Sequence, residues 1–255
     1  MPANSNRKFH LKPFSLFHHK STMKVGMDAT LLGIWIQADR AEKVLDIGTG
    51  CGILSLLLAS KCNAQIDAVE LDVDSANEAG ENFQNSAFYD RMQVIEIDIN
   101  QFAKAHRQKY DVIISNPPFF INDQRSTDKK KKQARHSDSL SFRQLIGAIN
   151  KLMKPDGNCF FVLPYEEGKI FTEMAAKNNL YLQHRQLIFP GRGLEPNRMN
   201  MKFAFKKPIK IVSEKFIIRE ENGQFSKQYK LFLEDYLIGF TGSVHSGSKP
   251  DFSFH

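Results

Sequence analysis

A doubly wound α/β fold built on a mostly parallel sheet is predicted by three observations. Short apolar runs alternate with helix-spaced segments over the first two-thirds of the chain. A glycine-rich turn follows the first run. Acidic residues end the second and third. Strand–helix alternation of this kind favours parallel strands joined by crossover helices.

The elements follow in order. Val44–Ile47, Ile66–Leu71, Gln93–Ile97, Val112–Ser115 and Asn158–Leu163 are short, β-branched or apolar, and read as strands. Between them, Ile53–Ser60, Asp74–Ser86, Ile99–Ala105 and Ser141–Leu152 carry apolar residues at helical spacing. Pro155-Asp156-Gly157 is a turn that ends the last of these helices and feeds the fifth strand. A helix around Glu167–Asn178 comes next, then extended segments Tyr181–Phe189 and Arg198–Phe205. The loop between those two, Pro190-Gly191-Arg192-Gly193, is too rich in glycine to be helical. A sheet of seven strands with helices on both faces is therefore expected. Phe216–Arg219 forms a last extended stretch before Asn222-Gly223 and the helical Ser226–Ile238. Residues 1–240 are expected to be a single domain, and the Gly/Ser-rich residues 241–255 a disordered tail.

Composition narrows the function. Hydrophobic residues make up 42% of 255, enough for a sizeable core. No apolar run approaches the ~20 residues of a membrane helix, and the polar, basic Met1–Phe9 lacks the apolar segment of a secretory signal. Cys51, Cys62 and Cys159 form no metal-like or redox-like pair, so no metal is expected and the compartment is read as the reducing cytoplasm. The net charge of +7 suits a polyanionic partner.

Val44-Leu45-Asp46-Ile47-Gly48-Thr49-Gly50-Cys51-Gly52 bends the backbone sharply between a strand and a helix. A dinucleotide fold wants G-x-G-x-x-G with a pyrophosphate on the helix N-terminus. Here the third glycine falls one place early, and Asp46 would repel a pyrophosphate but suits an ammonium group. Glu70 ends the second strand, where a carboxylate takes both hydroxyls of a ribose. Asp98 closes the third, placed to accept from an adenine amino group. Three acids on one carboxyl edge point to a nucleoside cofactor.

Asp111-Val112-Ile113-Ile114-Ser115-Asn116-Pro117-Pro118-Phe119 runs from the fourth strand into a stiff loop, because proline fixes its own φ and restricts the residue before it. The Asn116 side-chain oxygen and the Pro117 carbonyl are two acceptors for the two N–H groups of a planar amine, and Phe119 offers an apolar face for a flat base. Pro118 completes the rigid segment.

Together these residues resemble the class I S-adenosylmethionine-dependent methyltransferases of the amino-methylating branch, marked by Asn-Pro-Pro followed by an aromatic residue. A second stretch, Phe14-Ser15-Leu16-Phe17-His18 and Met23-Lys24-Val25-Gly26-Met27-Asp28-Ala29-Thr30-Leu31-Leu32-Gly33-Ile34-Trp35, is similar to the N-terminal signature of bacterial tRNA1(Val) adenine-N6-methyltransferases. The resemblance implies S-adenosylmethionine as cofactor and N6 of adenosine 37 in valine tRNA as methyl acceptor. It implies that residues 1–40 cover the cofactor, with Lys24 and Asp28 closing over its methionine end. Asp46 and Gly48, Gly50 and Gly52 would hold the methionine moiety, Glu70 the ribose and Asp98 the cofactor adenine. Asn116, Pro117 and Phe119 would hold the target base. Met27–Trp35 also reads, more plainly, as an amphipathic covering helix.

Ribosomal RNA guanine-N2 methyltransferases share Asn-Pro-Pro-Phe and remain the alternative, ahead of protein glutamine methyltransferases, which usually carry tyrosine after an extra helical domain. A non-catalytic RNA-binding protein on the same fold would be expected to have lost the acids or the Asn-Pro-Pro-Phe loop. Beyond that loop, Arg125, Lys129, Lys130, Lys131, Lys132 and Arg135 form a basic run suited to tRNA phosphates. A monomer acting on tRNA, without membrane or metal, is the resulting expectation.

Overall fold

The computed structural model describes residues 8–21, 25–117 and 140–238. A two-residue hairpin pairs β1 (Phe9–His10) with β2 (Ser15–Leu16). Helix α1 (Met27–Trp35) leads to β3 (Lys43–Ile47), α2 (Ile53–Ala59), β4 (Gln65–Glu70), α3 (Val73–Gln84), β5 (Met92–Glu96), α4 (Ile99–Ala105) and β6 (Tyr110–Ser115). Then come α5 (Phe142–Leu152), β7 (Met153–Pro164), α6 (Tyr165–Ala176), β8 (Tyr181–Phe189), β9 (Arg198–Ala204), β10 (Val212–Ile217) and α7 (Lys227–Leu233).

The main sheet has the order β10-β8-β9-β7-β6-β3-β4-β5. All neighbours pair in parallel except where β9 runs against β7 and β8. This corrects the expected seven strands to eight. The last extended stretch begins at Val212 rather than Phe216 and pairs with β8 along its whole length. The Pro155-Asp156-Gly157 turn is absorbed into the start of β7. Tyr110 of β6 pairs with Met153, whereas Val112 pairs with Asn158, so the intervening β7 residues bulge out of the ladder. Proline in a strand is confined to such interruptions or to edges.

Two cores lie on opposite faces of the sheet. Residues of α1, α2, α3 and α7 share one apolar cluster, and residues of α4, α5 and α6 share the other. Helix α2 explains why the first face is thick. All seven of its residues are buried, and a helix apolar all round must be covered on every side. Helix α1 supplies that cover, and Gly33 permits it: a Cβ there would sit 2.5 Å from Cδ1 of Leu57. The expected covering helix over Met27–Trp35 is α1 with the same bounds, but it is not amphipathic, since five successive residues from Ala29 to Gly33 are buried.

Local signals fix the helix starts. Asp72 caps α3 through the Ser75 N–H, Asp98 caps α4 through Asn100 and Gln101, and Ser141 with Gln144 forms a capping box on α5. The strands β3, β4, β5, β6 and β7 are mutually parallel, so the segments after Ile47, Glu70, Glu96 and Ser115 all emerge at one carboxyl edge.

Candidate active site at the carboxyl edge

Gly48 and Gly52 occupy left-handed backbone, at φ 70° and 87°, where a side chain is strained. Gly50 does so too, at φ 57°. At Gly52 the constraint is doubled, since a Cβ would stand 2.5 Å from Cε1 of Phe83. The turn is tied to the next strand. Gly48 N–H donates to the Val69 carbonyl at 2.8 Å, and Gly50 N–H donates to Oε2 of Glu70 at 2.8 Å.

Glu70 uses its other oxygen, Oε1, to accept from the Leu71 and Asp72 N–H groups at 2.8 and 3.0 Å. Its carboxylate is thus aimed by the backbone before any ligand arrives. Asp98 is likewise fixed: Oδ1 accepts from Asn100 and Gln101, and Oδ2 lies 3.4 Å from the Asn100 amide nitrogen. A cavity gathers Gly48, Glu70, Asp98 and Pro117, with Ser115 at its base and Ile97 and Ile99 among its apolar walls. Leu140 and Gln144 close another side. Sequence reasoning missed both as lining residues, although it placed a helix start at Ser141, where the structure has a capping box.

Asp46 sits below the turn. It is fully buried, and its Oδ2 accepts from the hydroxyls of Thr49 and Ser55 at 2.7 Å each. Its Oδ1 is buried with no hydrogen-bond partner among the described residues. Burial pushes this carboxyl up to about 6, against the lowering effect of the two hydroxyls, and the nearby Glu70 charge adds to the rise. The folded protein therefore holds the Asp46 proton more tightly than the unfolded chain. The associated stability is present below pH ~4 and lost as pH rises through ~6, to the extent of about 3 kcal/mol. Asp46→Asn is accordingly expected to melt at a higher temperature than the wild type at pH 8 without cofactor, the gap shrinking toward pH 4. Thermal unfolding across that pH range checks it; a gap that does not change with pH removes the linkage from Asp46.

Asn116 follows β6, between the cavity residues Ser115 and Pro117. Its Oδ1 is buried and has no hydrogen-bond partner among the described residues. A buried amide oxygen left this way costs about 1–3 kcal/mol. Ser115 is anchored beneath it, donating from its hydroxyl to the Ile47 carbonyl at 2.7 Å.

Asp28 stands apart from the cavity lining and forms an ion pair with Arg198, Nε to Oδ2 at 2.7 Å. Arg198 opens β9 and was not singled out by the sequence, because its partner lies 170 positions away. Lys24, Pro118, Phe119, Arg125, Lys129, Lys130, Lys131, Lys132 and Arg135 lie outside the described residues, as does the expected tail from residue 241. Among the described residues no helix is long and apolar enough to cross a membrane, and no His/Cys/Asp/Glu group is arranged to hold a metal ion.

A strained glycine turn after the first long strand, fixed acids after the next two and an Asn-Pro step after the fourth define a class I S-adenosylmethionine-dependent methyltransferase. Solved structures agree on the fold: a predicted O-methyltransferase of Agrobacterium tumefaciens superposes with TM-score 0.64, at 20% identity, over 82% of this chain and 96% of that one. A second methyltransferase from that organism gives TM-score 0.57 at 14% identity, over 81% and 72%. Residues 20–164 match the methyltransferase small domain family, and the chain belongs to it. Its relatives include the tRNA1(Val) (adenine(37)-N6)-methyltransferase of Parabacteroides distasonis, 32% identical over 92% of this chain and 99% of that protein. The enzyme of the same name from Dyadobacter fermentans is 40% identical, over 80% and 83%.

S-adenosylmethionine fits the residues present. The orphaned Asp46 oxygen lies beneath the turn, Glu70 is prepositioned for a diol, and Ile97 and Ile99 flank Asp98 as apolar walls for a base.

Proposed function

We propose that this chain methylates N6 of an adenine in tRNA, adenosine 37 of valine tRNA being the substrate that its relatives' names indicate. The observation that carries the reading is the buried Oδ1 of Asn116 beside the cavity, which has no hydrogen-bond partner among the described residues. S-adenosylmethionine, when bound, supplies an electrophilic methyl group. Asn116 Oδ1 and the Pro117 carbonyl accept the two N–H groups of the adenine amine, which concentrates its lone pair on the side facing that methyl group. Catalysis is then mainly positioning and electrostatics. No strong base is required, since the methylated ammonium is acidic and gives its proton to water. Phe119 stacks on the extruded base, and an anticodon-loop adenine leaves its neighbours at lower cost than one in a duplex.

Asp46 and the Gly48–Gly52 turn hold the methionine end, Glu70 the ribose hydroxyls, Asp98 the cofactor adenine, and Lys24 and Asp28 close the pocket. Residues 1–240 act as one methyltransferase unit. All these side chains come from one chain, so a monomer suffices, working where tRNA is found, in the cytoplasm. Labelled S-adenosylmethionine incubated with total RNA that lacks the modification tests the whole reading. Label on a single tRNA adenine is the expected outcome; label on a ribosomal guanine, or none on RNA, overturns it.

Arg125, Lys129–Lys132 and Arg135 follow the catalytic loop and are assigned to the tRNA backbone. Lysines suit phosphates met at variable geometry, and such contacts set affinity rather than read bases. Replacing Lys129–Lys132 with alanine should raise the Michaelis constant for tRNA without moving cofactor affinity. Each lost phosphate contact should flatten the slope of log affinity against log salt by about 0.7–0.9. A salt series giving parallel lines of equal affinity assigns the run to solubility alone.

A further inference from the structure

Helix α3 grips the chain that precedes α1. Glu78 is fully buried, and Nδ1 of His19 lies 3.4 Å from its Oε1. Its Oε1 accepts from the backbone N–H groups of His19 and Lys20 at 2.8 and 2.9 Å, and its Oε2 accepts from that of Ser21 at 2.8 Å. Burial alone would raise this carboxyl, and the N–H bonds outweigh it, so the group is held below its ordinary value. One helical turn on, Asn82 accepts from the Phe17 N–H at 2.7 Å and donates to two carbonyls at 2.8 Å each, Phe17 and Cys51. Residues four apart on a helix share a face, so both side chains hold one strap, residues 17–21.

Cys51 belongs to the glycine turn of the cofactor site. One amide group therefore ties the strap and the turn together, with both carbonyls on the same Asn82 nitrogen. The strap then continues into α1, whose first turn carries Asp28, bound to Arg198 at the far side of the sheet. Its two anchors are thus a buried carboxylate–amide pair on α3 and an ion pair on β9.

We propose that Glu78 and Asn82 are positioning residues for the cofactor: they set the strap against the glycine turn so that the methionine end is held at both. This rests on the cofactor assignment made above, and it adds two residues that touch neither cofactor nor substrate. A structural role alone predicts loss of melting temperature with unchanged ligand affinity in the protein that remains folded. Positioning predicts the reverse weighting.

The test uses the full chain. Glu78→Gln keeps size and one acceptor oxygen but sets an amide donor against the Ser21 N–H or its neighbours. Expected are a roughly tenfold rise in the dissociation constant of S-adenosylhomocysteine and in the Michaelis constant for S-adenosylmethionine, equivalent to about 1.4 kcal/mol. Turnover at saturating cofactor and the Michaelis constant for tRNA should stay within twofold. A folded variant with cofactor affinity within twofold of wild type overturns the proposal. Where Glu78→Gln fails to fold, hydrogen exchange on the wild type decides. Coupling between sites is reciprocal, so S-adenosylhomocysteine should slow exchange at His19, Lys20 and Ser21, and unchanged exchange at these three amides overturns the proposal. Wild type that binds no S-adenosylhomocysteine defeats the cofactor assignment itself, a different outcome from either.

Discussion

Asn116→Ala should lower turnover by about two to three orders of magnitude while leaving cofactor affinity unchanged. That is the scale of loss when one preorganised polar group is removed from a reacting centre. The expectation follows from the state of the Oδ1 atom, which is buried beside the cavity with no hydrogen-bond partner among the described residues. A group held that way has already lost its water, so its hydrogen bond to the adenine amine is made without further desolvation. Alanine also relieves the orphaned oxygen, and the variant is therefore expected to fold at least as stably as the wild type. Reduced turnover with raised stability would be the signature of a functional rather than a structural side chain. Single-turnover methylation with saturating cofactor, beside a melting curve, gives both numbers. Near-normal turnover would mean that the amine is activated elsewhere.

Glu70→Ala should weaken cofactor binding by about 10- to 150-fold, corresponding to the 1.5–3 kcal/mol of hydrogen bonds made to a charged group. The loss has two origins. The ribose hydroxyls lose their acceptor, and the Gly50 N–H loses the Oε2 atom that ties the turn to β4. Glu70→Gln separates them, since the amide keeps one acceptor for the turn or the diol but not both. Calorimetry with S-adenosylhomocysteine should place it between wild type and alanine. Equal affinity for all three proteins removes Glu70 from the cofactor site.

Two elements were legible to their last residue. Helix α4 and strand β8 begin and end where periodicity placed them, because a clean apolar pattern coincided with a cap or a turn. Strand β10 was read four residues late. Its first residues, Val212 to Lys215, include a serine, a glutamate and a lysine and lie at a sheet edge with little burial, so no apolar run announces them. The cavity residues Gly48, Glu70, Asp98 and Pro117 were all marked by their position after strands. The Glu78 grip was not legible, because its partners are backbone N–H groups, and these carry no side-chain signature. The Asp28–Arg198 pair was hidden for another reason: it is made between the first helix and the one antiparallel strand of the main sheet.

That reversed strand also sorts the loops. Because β9 runs back across the sheet and β10 runs forward again, the connection between them, residues 205–211, emerges at the edge opposite the cofactor cavity. Lys206, Lys207, Ile209, Lys210 and Ile211 are exposed there. Exposed loop tips are where added chain is best tolerated. A fluorophore, an affinity handle or a tethered guide domain grafted into this loop would sit behind the catalytic edge, leaving the approach of a bulky RNA clear. The same reversal thus gives the molecule a working side and a side by which it can be held.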